Sequence, residues 1–401
     1  MSSSVYVAGT GIISAIGNSI SESLNTFRNH RSGIAKTQYL ETRHSNTFPL
    51  GEVKFSNDEL AALTGLKSGL SRTILLSYYA AKQAIDSLPE NMITKIRTGF
   101  ISASSVGGMD KTESFFEDFM KDEQSGNLRK VQHHDCGKHT DYVCEKLGIK
   151  GFITTISTAC SSSANSIMLG ARLIKSGKLD LVIAGGVDPL TRFTLNGFNS
   201  LMIVDRNQCR PLDQSRQGLN LGEGAAYLVM ISDKIATAYN LEPLCELTGY
   251  CNTNDSHHQT ALSDEGNGPF LAMAGALKMS VLNKTDIDYI NMHGTGTQNN
   301  DSAEGKALER IFAPTYPPLS STKSFTGHTL GASGAIEAAF SAVAVQKGII
   351  YPNFSFTEAM HNLSVYPQEK MLDNQEINHV LSNSFGFGGN CTSLIFSKVR
   401  A

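Results

Sequence analysis

Residues 156–164 read Ile156-Ser157-Thr158-Ala159-Cys160-Ser161-Ser162-Ser163-Ala164. A β-branched strand end gives way to small turn residues. Ala164, Ile167, Met168, Ala171 and Ile174 then repeat at helical spacing. The pattern predicts a buried strand that delivers Cys160 to the first turn of a helix. Free N–H groups and the positive dipole end at such a turn favour a thiolate, which would lower the thiol pKa. The dipole supplies only about 0.3–1 kcal/mol, so other groups must contribute. Small neighbours leave room for a substrate beside the sulfur. The competing reading, an inert buried cysteine, is the expectation for every other cysteine of the chain.

Outward from this stretch, short apolar runs ending in small residues recur. They cover Val5–Ile13, Gly99–Ser104, Leu181–Gly186, Ala225–Ile231, Ile287–His293 and Val380–Phe385. Helical periodicity lies between them at Ser71–Leu88, Ala164–Ser176, Phe270–Ser280 and Gly334–Lys347. Alternation of this kind predicts an α/β architecture with buried sheets. The chain also repeats itself. Cys160, its helix and the strand at Leu181 are echoed by Lys323, His328, the helix ending at Lys347 and the strand at Val380. Phe100–Gly107 and Tyr289–Gly296 form a second matching pair. The repeat predicts two halves, 1–240 with the cysteine and 241–401 with the histidines, whose reactive groups meet near a shared pseudo-twofold axis.

Composition excludes several classes. The 401 residues, 40% apolar and 18% charged, describe an ordinary globular chain with a large core. A formal charge of −3 and the lack of a basic run speak against nucleic-acid binding. Seven cysteines without regular spacing are no disulfide framework and point to a reducing compartment. Met1-Ser2-Ser3-Ser4 lacks the charged n-region of a signal peptide. No stretch reaches the ~18 apolar residues a membrane span requires, so a cytoplasmic location without a membrane partner is expected.

Two histidines share an unusual context. His293 follows an apolar run in Asn291-Met292-His293-Gly294-Thr295-Gly296-Thr297. His328 closes Lys323-Ser324-Phe325-Thr326-Gly327-His328. A lone histidine is more often a satisfied core or surface group than a catalyst. Two beside flanking glycines, with a helix-start cysteine, form a candidate site. A cysteine can take an acyl group from a thioester, and two imidazole N–H groups can stabilise an enolate oxygen as a second thioester loses CO2. Other motifs fail. Gly9-Thr10-Gly11 lacks the third glycine of a dinucleotide fingerprint, since Ser14 stands there. His133, His134, His139 and Cys136 lack zinc-ligand spacing and read as surface residues.

Six markers in order resemble the elongating β-ketoacyl-[acyl-carrier-protein] synthases of the thiolase superfamily over nearly the whole length. They are Val7–Gly11, Ser157–Ser162, Gly218–Gly224, His293–Thr297, Thr322–His328 and Asn383–Gly389. The Cys-His-His set resembles elongating members; initiating synthases resemble Cys-His-Asn. The resemblance implies a thiolase-like five-layered αβαβα sandwich with internal pseudo-duplication and two buried mixed sheets. It implies that Cys160 carries the acyl chain and that His293 and His328 bind a malonyl thioester. Lys323 would orient His328, paired with Glu337 or Asp301. The N–H groups of Cys160 and Phe387 would form the oxyanion hole, with Phe387 as a gate. Thr295, Thr297, His258 and Thr260 would line a pantetheine tunnel, and Val106 an acyl pocket reached from a dimer partner. Asn291, Glu337, Ser382 and Asn383 would hold a monovalent cation. Expected partners are an acyl carrier protein, approached through Arg129, Lys130 and Arg206, and a second subunit in a homodimer or in a heterodimer with a chain-length-factor-like relative. No redox cofactor is expected, because acyl groups arrive on phosphopantetheine. Arg210-Pro211-Leu212-Asp213 and Gln217-Gly218-Leu219-Asn220-Leu221 depart from the family pattern, which leaves a specialised polyketide or aryl polyene pathway open. A non-catalytic chain-length factor is the rival reading; such subunits usually lack the cysteine.

Overall fold

Strand order displays the repeat directly. The computed structural model describes residues 4–399; Met1–Ser3, part of the segment read as lacking an n-region, lie outside the described residues. The main sheet is built from β1 Val5–Ser14, β2 Thr98–Ala103, β3 Phe152–Ile156, β4 Leu181–Asp188 and β5 Gly224–Ser232, then β6 Cys245–Asn254, β7 Tyr289–Asn291, β8 Leu319–Ser320, β9 His379–Phe385 and β10 Asn390–Ser397. Their spatial order is β8-β7-β9-β10-β6-β1-β5-β4-β2-β3. Each half therefore places its first strand beside its fifth, then its fourth, second and third. The senses match as well. First–fifth and fifth–fourth pairs are antiparallel in both halves, and fourth–second and second–third pairs are parallel.

Helices complete the layers. They are α1 Arg72–Ile85, α2 Met109–Lys121, α3 Lys138–Leu147, α4 Ser162–Lys175, α5 Arg192–Ser200, α6 Asn267–Ser280, α7 Gln298–Phe312 and α8 Ser333–Lys347. The helices α1 and α3 cover one outer face and α6 and α7 the other, while α4 and α8 touch each other and strands of both halves. A central helix meets apolar surroundings on every side. The run Ser333–Val345 of α8 is accordingly buried throughout. On α4, Ala164, Ile167, Met168, Ala171 and Ile174 all lie in the core. The two central helices begin side by side, where the Ala335 N–H donates to Ser163 Oγ at 2.8 Å.

Two expectations need correction. The two sheets are not separate, because β1 meets β6 at Tyr6–Glu246 and Val7–Cys245. Tyr6 and Val7 pair with β5 on one edge and β6 on the other, just before a register shift between Val7 and Gly9. The strand expected over Ile287–His293 ends at Asn291. Beyond it the His293 and Gly294 N–H groups leave the ladder for the Glu304 carboxylate.

The Gly9-Thr10-Gly11 run has a packing role. A Cβ on Gly11 would lie 2.0 Å from the Ala80 carbonyl and 2.6 Å from the Ala84 nitrogen of α1. Backbone cannot yield as a flexible side chain would. Gly11→Ala is expected to cost about 1–3 kcal/mol, as overpacking does. Urea unfolding measures this, and an unchanged midpoint would contradict the tight strand–helix contact.

Candidate active site

Cys160 stands on a strained turn. Ala159 has φ +52°, a left-handed conformation that a residue with a Cβ rarely adopts. Serines hold the turn: the Thr158 N–H donates to Ser162 Oγ at 2.8 Å, and Ser162 Oγ to the Ala159 carbonyl at 2.5 Å. Ser161 Oγ reaches Asn390 Oδ1 of the other half at 2.7 Å. The thiol that follows is buried at the tip of α4.

Both histidines converge on it. Sγ of Cys160 and one ring nitrogen of each of His293 and His328 lie within 4.8 Å of one another. His328 Nε2 is 3.2 Å from Sγ, and the two rings are 5.4 Å apart at 84°. His293 leaves the end of β7, fixed by Glu304 of α7 at 2.9 Å through its main-chain N–H. His328 precedes α8, with its Nδ1 2.9 Å from Ser333 Oγ.

The far nitrogen of each ring fixes its tautomer. The Leu330 N–H donates to His328 Nδ1 at 3.2 Å. The Lys323 ammonium reaches His293 Nδ1 at 3.2 Å and the His293 carbonyl at 2.7 Å. A ring nitrogen that accepts from a donor carries no proton, so in the neutral ring the proton is on Nε2. Both Nε2–H groups therefore face the sulfur. Burial and the Lys323 charge push both rings well below the usual histidine range, with His328 adding to the effect on His293. They are neutral donors at pH 7. The same cluster has the residue types of a metal site, but metal binding needs the Nε2 lone pairs that these protons occupy.

Two electrostatic details differ from the expectations. Lys323 orients His293, not His328; of its two expected ion-pair partners it takes Glu337, while Asp301 lies 3.9 Å from Arg216. Burial pushes the Cys160 thiol up to about 11, against the opposing pull of Lys323 and the Phe387 N–H, so the helix tip does not yield a resting thiolate. Removal from water outweighs the modest dipole contribution. The Phe387 and Cys160 N–H groups both act to lower the thiol pKa.

Two cavities meet at Cys160. One, of about 260 Å3, is lined by Thr260, Thr295, Thr297 and both histidines. The other, of about 400 Å3, is walled by Val106, Phe193, Leu201 and Leu330. Phe387 and Phe198 border both, stacked at 5.7 Å and 17°. Val106 lines the cavity of its own chain. His258 is exposed and stands behind the cavity wall, accepting the N–H of the lining residue Thr260 at 3.2 Å. Asn291, Glu337, Ser382 and Asn383 are all buried. His139, read as a surface residue, is buried too: its Nε2 lies 2.6 Å from Ser102 Oγ, and burial lowers its pKa to about 4. His134 is exposed, while His133 and Cys136 are half-buried. Arg129 and Arg206 are exposed; Lys130 is committed to Ser114 at 2.8 Å and Asp118 at 3.5 Å. Phe198 and Glu304 carry no signal in the sequence. No local motif announces a stacking partner 189 positions from Phe387 or an anchor inside a helix.

A nucleophile at a helix tip, two imidazole donors and a duplicated five-layered sandwich define a thiolase-like, acyl-transferring condensing enzyme. The chain belongs to the beta-ketoacyl synthase family, matching its N-terminal domain over residues 2–236 and its C-terminal domain over residues 244–357. A 3-oxoacyl-[acyl-carrier-protein] synthase 2 of Staphylococcus aureus is 32% identical over 410 residues, covering 99% of each chain. Among solved structures, the ishigamide ketosynthase/chain length factor superposes with a TM-score of 0.94 at 26% identity, covering 100% of both chains. The ketosynthase ApeO from Xenorhabdus doucetiae, in complex with its chain length factor ApeC, gives 0.84 at 30% identity, covering 99% of this chain and 98% of that one.

Labelling tests the raised thiol. Only thiolate reacts, so iodoacetamide modification of Cys160 is expected to climb about tenfold per pH unit from neutrality with no plateau below pH 9. Lys323→Met removes a charge that favours thiolate and is expected to slow labelling. A plateau below pH 8, or faster labelling in the variant, would contradict these electrostatics.

Proposed function

We propose that this chain is a β-ketoacyl-[acyl-carrier-protein] synthase that elongates an acyl group held on Cys160 with malonyl-[acyl-carrier-protein]. The supporting observation is the pair of Nε2–H donors aimed at one space beside Cys160 Sγ. In the first half-reaction Sγ attacks the thioester carbon of an acyl-carrier, and the thiol proton goes to the departing pantetheine sulfur. The exchange is near balance because one thiol replaces another, but the sulfur must give up its proton as it attacks, so the raised thiol slows this step. In the second, the malonyl thioester oxygen accepts both Nε2–H bonds. CO2 leaves, and the electron pair it releases is held as an enolate. The enolate carbon attacks the acyl-Cys160 carbonyl, whose oxygen receives the N–H groups of Cys160 and Phe387; the sulfur departs as thiolate and takes up a proton from solvent, which restores the resting thiol. Neutral imidazoles suit this chemistry because they stabilise developing charge without protonating the carbon nucleophile.

Lys323 holds His293 in place and Thr295, Thr297 and Thr260 offer hydroxyls to pantetheine, with His258 supporting Thr260 at the exposed end of this tunnel. Phe387 and Phe198 divide tunnel from acyl cavity, so Phe387 gates access. Acyl groups arrive on carrier phosphopantetheine, and no redox cofactor takes part. A monovalent cation at Asn291, Glu337, Ser382 and Asn383 belongs to the same proposal. It is supported by Asn291 Oδ1, a buried oxygen with no hydrogen-bond partner. The Asn383 side chain is committed to Glu304 at 3.0 Å and Ser393 at 2.7 Å, which leaves its main-chain oxygen as ligand. The strand repeat supports halves at 1–240 and 241–401. A non-catalytic chain-length factor is disfavoured by the intact Cys160, Lys323, His293 and His328. The pathway, fatty acid or polyketide and aryl polyene, is left to substrate tests. Among the described residues no helix is long and apolar enough to cross a membrane, which fits a cytoplasmic enzyme.

A second subunit is part of the proposal. The terminal strand β3 exposes Phe152 (41%) and Ile153 (37%), and Phe193 (63%) is bare beside the acyl cavity. An exposed apolar sheet edge is a pairing surface. Ile153→Lys is expected to shift the sedimenting species toward monomer, whether the wild type pairs with itself or with a related subunit. Unchanged association would exclude this edge.

Incubation with acyl-carrier proteins of several chain types, read by intact mass, is expected to give a Cys160 adduct that Cys160→Ala abolishes. His293→Ala and His328→Ala are each expected to slow malonyl-carrier decarboxylation by about 10²–10³, as removal of an oxyanion donor does. Decarboxylation at the wild-type rate in either variant would defeat the histidine roles.

A further inference from the structure

One buried carboxylate ties two loops with different duties. Asp188 ends β4 and is fully buried. Its Oδ1 accepts from Ser104 Oγ at 2.6 Å and from the Ser105 and Val106 N–H groups at 3.0 Å each. Its Oδ2 accepts from the Gly331 N–H at 2.7 Å, and from Ser105 through Oγ at 2.5 Å and N–H at 3.1 Å. The first loop follows β2 and gives Ser105 and Val106 to the apolar cavity. The second carries His328.

The second loop is strained into place. Leu330 has φ +51°, and this turn aims its N–H at His328 Nδ1 while its side chain enters the apolar cavity. The bond from Gly331 to Asp188 holds the turn from the next residue. Contact between the loops is close enough to require glycine. A Cβ at Gly331 would lie 2.8 Å from Asp188 Oδ2 and 3.1 Å from the Ser105 nitrogen.

We propose that Asp188 is a positioning residue that couples the acyl-cavity wall to His328. Oδ1 sets Ser104, Ser105 and Val106; Oδ2 joins Ser105 to the Leu330–Gly331 turn that keeps the His328 proton on Nε2. An acyl chain pressing on Val106 and Leu330 is thereby registered at the decarboxylation centre. This rests on the ketosynthase reading above.

The variant Asp188→Asn separates the two duties. Its amide keeps one accepting oxygen, which three donors of the first loop can use. The –NH2 that replaces Oδ2 can still bond Ser105, whose hydroxyl turns to accept from it, but it cannot accept the Gly331 N–H. For malonyl-carrier decarboxylation, kcat is expected to fall on the order of 100-fold, as misplacement of a reacting group does, with KM within about threefold. Acyl transfer to Cys160 is expected to change by less than about fivefold, because His328 enters only the second step. Gly331→Ala presses on the same contact from the opposite side, with its Cβ against both Asp188 Oδ2 and the Ser105 nitrogen, and should Asp188→Asn fail to fold it must still lose more in decarboxylation than in acyl transfer. Equal loss of both half-reactions, or a wild-type decarboxylation rate, overturns the positioning role. Wild-type protein that forms the Cys160 adduct without decarboxylating malonyl-carrier would instead overturn the ketosynthase reading itself.

Discussion

The Lys323 ammonium, buried between His293 and Glu337, is the constraint on which the site depends. It donates to His293 Nδ1 and to the His293 carbonyl, which fixes the position and tautomer of the ring at once. Burial and, after it, this positive charge keep both imidazoles neutral. Glu337 balances that charge in a region closed to water, and burial raises the carboxyl to about 7 against the pull of Lys323. A lysine without this partner would be an uncompensated buried charge, a situation that costs several kcal/mol. The two neutral N–H donors beside Cys160 are therefore a property of a charge network and not of either histidine alone.

Duplication explains why these groups can meet. Each half sends its central helix into the shared middle layer, and α4 and α8 start side by side. The cysteine precedes the first helix and His328 the second, so loops 168 residues apart arrive at one point. The matching strand β7 ends where His293 begins, as β2 ends where the Ser104–Val106 loop begins. One topological plan, used twice, supplies nucleophile, donors and the wall of the apolar cavity.

Much of this is legible in the sequence because it is written in local pattern. The face of α4 shows as Ala164, Ile167, Met168, Ala171 and Ile174, and the glycine-flanked histidines mark their own loops. The strand Cys245–Asn254 stays hidden because it alternates, with Glu246, Thr248, Asn252 and Asn254 on one face, and so lacks the continuous apolar run that marks the other strands. Proximity in the chain suggests His328 as the partner of Lys323, yet a short helix over Lys323–Thr326 and the turn at Gly327 send the two side chains to different partners. The thiol pKa departs from expectation for a related reason. A helix tip can be read from sequence, but the loss of water around Sγ depends on loops from both halves closing over it. His139 likewise lies in a polar stretch and still reaches the core, through Ser102 of β2.

The most direct measurement is histidine-selective 15N NMR of the wild-type protein across pH 5.5–8.5, with His293 and His328 assigned by single substitutions. Both rings are expected to hold the shifts of a neutral imidazole protonated on Nε2 over the whole range. A ring that titrates near 6.5, or carries its proton on Nδ1, would contradict the account.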